Sequence, residues 1–253
     1  MTIPESFVPE SHPRYLSLII REKLVKGFRN GIVVPEGLIA HGRGEAFDYI
    51  IGEISRSFAV EAEKVAVALM LLSEKPVISV NGNAAALVAE KLSELSEVLN
   101  APLEVNVFHW SRERVKKIAE YLKSAGCKNV LYAGDAEIKG IKHFRRIVDR
   151  RGIYSADTVL VMLEDGDRCE LLRESGKKVI AIDLNPLSRT ARMADVTIVN
   201  NIIRAIPEMV NIAEELKTWS EKELRDAVNN YDNRVVLRKA LESIAEYVTG
   251  VQV

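Results

Sequence analysis

From Pro76 onward the chain alternates between two apolar rhythms. Short runs dense in valine and isoleucine give way to longer stretches whose apolar residues return every three or four positions. The runs Val77–Val80, Leu103–Phe108, Asn129–Tyr132, Ala156–Met162, Val179–Ile182 and Val196–Val199 are predicted strands. Between them, Ser111–Ser124 is amphipathic and ends at Gly126, Arg168–Glu174 reads as a short helix, and Asn81-Gly82-Asn83 is a tight turn into a helix rich in alanine. Strands alternating with helices predict an α/β fold, a parallel sheet covered by helices on both faces.

Helices are predicted at both ends as well. Pro13, after a possible Ser11 cap, opens a pattern with Leu16, Ile19, Ile20, Leu24 and Phe28, closed by Gly27 and Gly31. Ala59–Leu72 is apolar around much of its circumference, the mark of a buried helix. At the far end, Ile202–Leu216, Ser220–Asn229 and Val235–Val248 are helical patterns, with a capping box from Ser220 and Glu223 and a cap from Asp232 or Asn233. The expected organisation is a helical segment over 1–75, a core over 76–217 and C-terminal helices over 218–253, packed as one compact unit.

Charge narrows the function. The 253 residues carry 35 Lys and Arg against 36 Asp and Glu, a net charge of −1. No global field draws such a protein to nucleic acid or anionic lipid, so any anion site is local. The two cysteines, Cys127 and Cys169, lack the spacing of a zinc site or disulfide framework. With neither a signal-type segment nor a membrane-length apolar run, the expectation is a soluble, cytoplasmic protein.

Candidate chemistry sits mostly where strands end. Val179–Asn201 reads VIAIDLNPLSRTARMADVTIVNN: two apolar runs flank a polar loop with Arg189 and Arg192 on one side of a helical turn. In an open parallel sheet ligands collect at such ends, and guanidinium forks with Asn185, Ser188 and Thr190 suit a nucleotide. A solvated loop with surface arginines is the competing reading. HGRGEAFDY (41–49) sets Arg43 between two glycines before a helix predicted to begin near Glu45, whose free N–H groups would face an anion. His41 there is either structural or a contact to a phosphorylated substrate. Asn81, Gly82 and Asn83 form a strand-to-helix turn of phosphate-binding outline, which packing alone would also explain. Arg21 either snorkels from its helix or reaches a site, and its position by the apolar stripe favours snorkelling. Glu164, Asp165 and Asp167 could hold an ammonium group or a metal ion, or form an ordinary turn. Gly134–Gly152, with His143, Arg145, Arg146, Arg150 and Arg151, reads as a solvated connection, possible as a subunit contact. An NAD fold is disfavoured, because GxGxxG is missing and Asn106 and His109 stand where a ribose-binding acid belongs.

Four stretches, HGRGEAFDY (41–49), VNGNAAALV (80–88), LEDGDR (163–168) and DLNPLSRTARMAD (183–195), resemble the archaeal phosphopantothenate synthetases, or 4-phosphopantoate–β-alanine ligases. The likeness runs from SHPRY to NYDN near 230. It implies a Rossmann-like core, a homodimer, and ATP-dependent joining of 4-phosphopantoate to β-alanine in coenzyme A synthesis, through an acyl-adenylate, with release of AMP and pyrophosphate. Carried over by motif, it implies ATP contacts at Arg21, Arg43, Asp183, Leu184, Asn185, Arg189, Thr190, Asn201 and Ile202. Arg43 and Arg189 are then the expected catalytic arginines, with Mg²⁺ bridging phosphates. His41, Asn81, Gly82 and Asn83 are the expected contacts of the substrate's phosphate or acyl group. The rivals are an ATP-binding sensor without catalysis and an NAD-dependent oxidoreductase.

Overall fold

The computed structural model describes residues 8–12, 14–163 and 165–250. Pro13 and Glu164, singled out above, lie outside them. Three helices come first: α1 (Tyr15–Arg29), α2 (Pro35–Ile51) and α3 (Ser57–Leu71). The core then runs β1 (Pro76–Val80), α4 (Gly82–Val98), β2 (Leu103–Val105), α5 (Arg112–Ser124) and β3 (Val130–Leu131). A hairpin of β4 (Ala136–Glu137) and β5 (Ile147–Val148) leads to β6 (Thr158–Met162), α6 (Gly166–Glu174), β7 (Lys178–Ile182), α7 (Arg189–Met193) and β8 (Val196–Ile198). Helices α8 (Ile202–Leu216), α9 (Glu221–Asn229) and α10 (Asn233–Gly250) close the chain.

Six strands form one sheet in the order β3-β2-β1-β6-β7-β8, every neighbouring pair parallel. From β1 the chain steps outward to β2 and β3, then returns to β1's other side and continues outward through β6, β7 and β8. The direction reverses between β1 and β6, so a crevice opens there at the carboxyl ends of the strands. This is the α/β arrangement expected from the pattern of strands and helices.

Alternation within each strand sorts side chains to two faces. Ile78, Leu103, Leu160, Ile180 and Ile198 join a core with residues of α3, α4, α5 and α8 that extends to Leu24 of α1 and Ala240 of α10. Val77, Val159, Val161, Val179 and Ala181 face the other way, onto Cys169 and Leu172 of α6 and onto Ile138, Ile141, Val148 and Ile153.

That second face corrects one expectation. Gly134–Gly152 is not a solvated connection: Ile138, Ile141, Val148, Asp149 and Arg145 are buried. Glu104 of β2 fastens it, accepting hydrogen bonds from the Asp149 amide at 3.1 Å and the Ile153 amide at 2.6 Å. Ile138, Ile141 and Val148 among the basic residues supply the burial that the charge count obscured.

A second correction concerns α2, which begins at Pro35, ten residues before the expected start near Glu45. Pro35 occupies the first helical turn, where its missing N–H costs nothing, and Val34 before it is extended. The His41–Gly44 stretch therefore lies inside a helix and offers no free amides to an anion. Gly27 likewise lies within α1, its Cα against Ala86 of α4. Strand β2 is shorter than expected and stops at Val105.

Candidate functional site

A cavity of about 470 Å³ opens over the crevice between β1 and β6. Its floor is made by the segments leaving four strands: Asn81, Gly82 and Asn83 after β1, Val107 to His109 after β2, Leu163 and Asp165 after β6, and Asp183 after β7. Helix α2 roofs it with Glu36, Gly37, Ala40 and Arg43, and Arg114 and Arg145 complete the wall.

The floor is rigid for local reasons. Asn81 caps α4, its side chain accepting from the Ala84 amide at 3.0 Å and donating to the Met162 carbonyl at 2.7 Å, which ties β1 to β6. Asn83 donates to the Gly37 carbonyl at 2.7 Å, and a Cβ at Gly37 would collide with that amide. Gly37 is thus what lets α2 lie so close over α4. Leu163 holds φ 50°, a left-handed conformation that costs a non-glycine residue about 1–3 kcal/mol.

Asp183 is the half-buried acid of the cavity. Burial raises its pKa above the ordinary carboxyl range, against the pull of Ser188, the Asn185 amide and Arg43. The Asn185 amide donates to it at 2.9 Å, the Ser188 hydroxyl donates to its other oxygen, and Asn185 in turn accepts from the Leu187 amide at 2.9 Å. Ser188 also caps α7. The DLNPLS loop is therefore a closed chain of small polar turns, built at a strand end.

A second cleft of about 420 Å³ lies on the opposite side of α2, lined by His41, Glu45, Asp48, Ser17, Asn201 and Arg204 among others. His41 and Arg43, two residues apart, are rotated about 200° on a helix and so face different cavities. His41 is buried, with Nε2 unpartnered, and burial lowers its pKa. Arg21 donates to Glu45 at 3.1 Å and to the Tyr49 hydroxyl at 2.8 Å. Asn201 donates to Asp48 at 2.7 Å, and Asp48 is also ion-paired with Arg204.

The expected site residues thus fall into groups. Arg43, Asn81, Gly82, Asn83 and Asp183 meet in one cavity. His41 and Asn201 line the second, with Arg21 attached through Glu45; His41 does not join the Asn81 turn. Arg189 is ion-paired with Asp167 and Glu170 of α6, with Thr190 buried beside it. Leu184 packs near Gly44, and Ile202 is part of the core. Of the acids considered for an ammonium group or metal, Asp167 is held by Arg189 and Asp165 by Arg145 at 3.4 Å. Among the described residues no group of three His, Cys, Asp or Glu is set to hold a metal, and no helix is long and apolar enough to cross a membrane.

The arrangement is chemically specific: arginines on two walls of a pocket, a half-buried carboxyl at the end of β7, and a helix N-terminus at the floor. Such a pocket takes a molecule with more than one anionic group. The family model described as phosphopantothenate/pantothenate synthetase matches residues 58–247. The chain belongs to this family. Among phosphopantothenate synthetase relatives, the 4-phosphopantoate–β-alanine ligase of Thermococcus kodakarensis is 52% identical over 96% of this chain and 94% of its own. That of Methanosarcina mazei is 49% identical over 95% of each chain, and that of Thermococcus onnurineus 51% identical over 96% and 94%. The pairwise likeness reaches further than the family model and takes in helices ahead of residue 58.

Two cavity residues escaped the sequence. Arg145 belonged to the run read as solvated, yet it is buried. Arg114 looks like any exposed arginine in the first turn of an amphipathic helix. Position alone could have found it, since the first turn of a helix after a parallel strand faces the carboxyl edge.

Proposed function

We propose that this phosphopantothenate synthetase joins 4-phosphopantoate to β-alanine at the expense of ATP, giving 4′-phosphopantothenate, AMP and pyrophosphate on the way to coenzyme A. Relatives of that name, about half identical over nearly their whole length, support the reaction. The observation that carries it onto the geometry is the cavity over the β1–β6 crevice, which Arg43, Asp183 and the Asn81 turn line together.

In this reading a carboxylate oxygen of 4-phosphopantoate attacks the α-phosphorus of ATP, and the bond from that phosphorus to pyrophosphate breaks. The amine of β-alanine then attacks the acyl carbon, gives up a proton, and AMP departs with the carboxylate oxygen. Both steps bring anions together, so fixed positive charge lowers the barrier most. Arg43 offsets the repulsion between carboxylate and α-phosphate. ATP is held at the β7 and β8 ends by Asp183, Leu184, Asn185, Arg189, Thr190, Asn201 and Ile202. Arg189 exchanges its partners for phosphate at small cost, because its ion pairs with Asp167 and Glu170 are solvent-exposed. Asn81, Gly82 and Asn83 receive the acid substrate; His41, in the other cleft, takes no part in that contact.

Mg²⁺ needs only one or two carboxylates beside phosphate oxygens. Asp165 and Asp183 line the cavity and fit that need; bound there, the ion would offset the charge of the triphosphate. The protein is further read as a cytoplasmic homodimer, in which Arg21, on the far side of α2 from Arg43, serves a nucleotide near the subunit contact. Light scattering coupled to gel filtration checks that assembly.

The reaction is tested by AMP release. It is expected only when ATP, 4-phosphopantoate and β-alanine are all present, with one AMP formed per 4′-phosphopantothenate. ADP and inorganic phosphate as products, or AMP formed without the acid, would overturn the proposal.

A further inference from the structure

Arg114 carries more than its place in the wall of the cavity requires. Nη1 donates to the His109 carbonyl at 2.7 Å and Nη2 to the Ile32 carbonyl at 2.9 Å, while Nε is buried without a partner. Both bonds go to neutral carbonyls. The guanidinium lies over the first residue of α4, for a Cβ at Gly82 would stand 2.9 Å from Nη2. Burial, and then the positive charge of Arg145, pull its pKa down. Two cations therefore share this end of the cavity: Arg145 has Asp165 against it at 3.4 Å, while Arg114 makes no carboxylate contact and feels Glu36 of the roof only as a weaker, opposing charge. Like charges facing one another in a wall where one is buried and the other half-buried are costly to keep unless an anion is bound between them.

The cavity is charged at two separate ends. Arg43 acts on Asp183 at the end of β7, beside the loop that the nucleotide reading uses. Arg114 stands by the residues after β1 and β2, against the His109 carbonyl and Gly82, with the charge of Arg145 beside it and Arg145 itself reaching Asp165 after β6. A substrate with a carboxylate at one terminus and a phosphoryl group at the other matches this spacing of charge. Its carboxylate must face Arg43 to reach the α-phosphorus, which leaves the phosphoryl group at the far end. The fork of Arg114 and the N-terminal amides of α4 together suit a doubly charged phosphoryl oxygen set.

We infer that Arg114, with Arg145 beside it, binds the phosphoryl group of the acid substrate and decides between phosphorylated and unphosphorylated acids. The inference rests on the ligase reading above. It adds a specificity determinant that acts on the part of the substrate remote from the reacting carboxylate.

The test compares kcat/KM for 4-phosphopantoate with kcat/KM for pantoate, in the wild type, R114Q and R114K. Glutamine keeps a polar amide at this position but brings no charge. The wild-type ratio should favour the phosphorylated acid, and in R114Q the ratio should fall about ten- to a hundredfold, the size of a lost charge-assisted bond. R114K should recover part of it. A role confined to packing lowers both values together and leaves the ratio unchanged; an unchanged ratio, or a wild type indifferent to the phosphoryl group, overturns the inference. Should R114Q fail to fold, the wild type carries the test: inorganic phosphate is expected to compete with 4-phosphopantoate rather than with ATP, and the absence of that competition overturns it. A wild type that forms no AMP with either acid refutes the ligase reading itself, a different outcome from a ligase whose ratio ignores residue 114.

Discussion

Substituting Gly82 by alanine probes the floor of the cavity with one methyl group. The added carbon would lie well inside contact with the Ile32 carbonyl oxygen, 3.1 Å from its carbon and 2.9 Å from Nη2 of Arg114. Carbon and carbonyl oxygen ordinarily approach no closer than roughly 3.3 Å. Relief requires moving backbone rather than a flexible side-chain tip. Overpacking of this kind costs about 1–3 kcal/mol, offset by about 0.4–1 kcal/mol from the reduced freedom of the unfolded chain. A net loss of about 1–2 kcal/mol is expected, or roughly 2–8 °C in the thermal midpoint for a chain of this size. Gly42 is the control. It lies inside α2, a Cβ there meets nothing within 4 Å, and alanine should stabilise by about 0.5–1 kcal/mol. Differential scanning calorimetry on both variants reads the two signs. A Gly82→Ala protein as stable as the wild type, or two variants shifted alike, would refute the packing argument for the α4 entry.

Three further outcomes follow from other parts of the structure. Arg43→Ala should lower kcat/KM for AMP release by about ten- to a hundredfold or more, with the fold intact by circular dichroism, since the residue is solvent-exposed at the cavity roof. Arg204→Ala should cost roughly 3 kcal/mol in urea unfolding, because it strips the ion pair from Asp48, whose side chain is buried and keeps only Asn201. Glu63 is fully buried on α3, and burial raises its pKa from 4.5 to about 8, with Asn200 opposing and Glu208 adding to the rise. A carboxyl shifted upward stabilises the fold fully below about 4.5 and loses that contribution as pH climbs through about 8. Stability should therefore decline from mildly acidic to mildly alkaline pH, and Glu63→Gln should flatten part of the decline in unfolding curves taken across that range.

Much of the architecture was legible because parallel strands are buried on both faces and read as unbroken apolar runs. Residues 159–162 and 179–182 are of this kind. Helix α9 was legible through its capping box, in which the Glu223 side chain accepts from the Ser220 amide at 2.7 Å. The start of α2 was not legible. Glycines at 42 and 44 look like a turn, and only the packing of Gly37 over Asn83, 46 residues away in sequence, explains why a helix continues through them. Arg145 was misread for the same reason, because its burial depends on Asp165 and on the apolar residues of the hairpin. At the site, the strand-end rule and the small-residue turns pointed to Asp183 and to Asn81–Asn83. Nothing in local spacing distinguishes Arg43, which meets the cavity, from His41, which turns away from it.

The central claim is that one cavity, roofed by α2 at the β1–β6 crevice, brings the acid and the nucleotide together around Arg43. A crystal structure with 4-phosphopantoate and a non-hydrolysable ATP analogue tests it most directly. The expected result places the acid's carboxylate and the analogue's α-phosphate within hydrogen-bonding reach of the Arg43 guanidinium. Either ligand bound elsewhere, for example in the groove that Leu16, Lys23 and Leu87 line between α1 and α4, would contradict the claim.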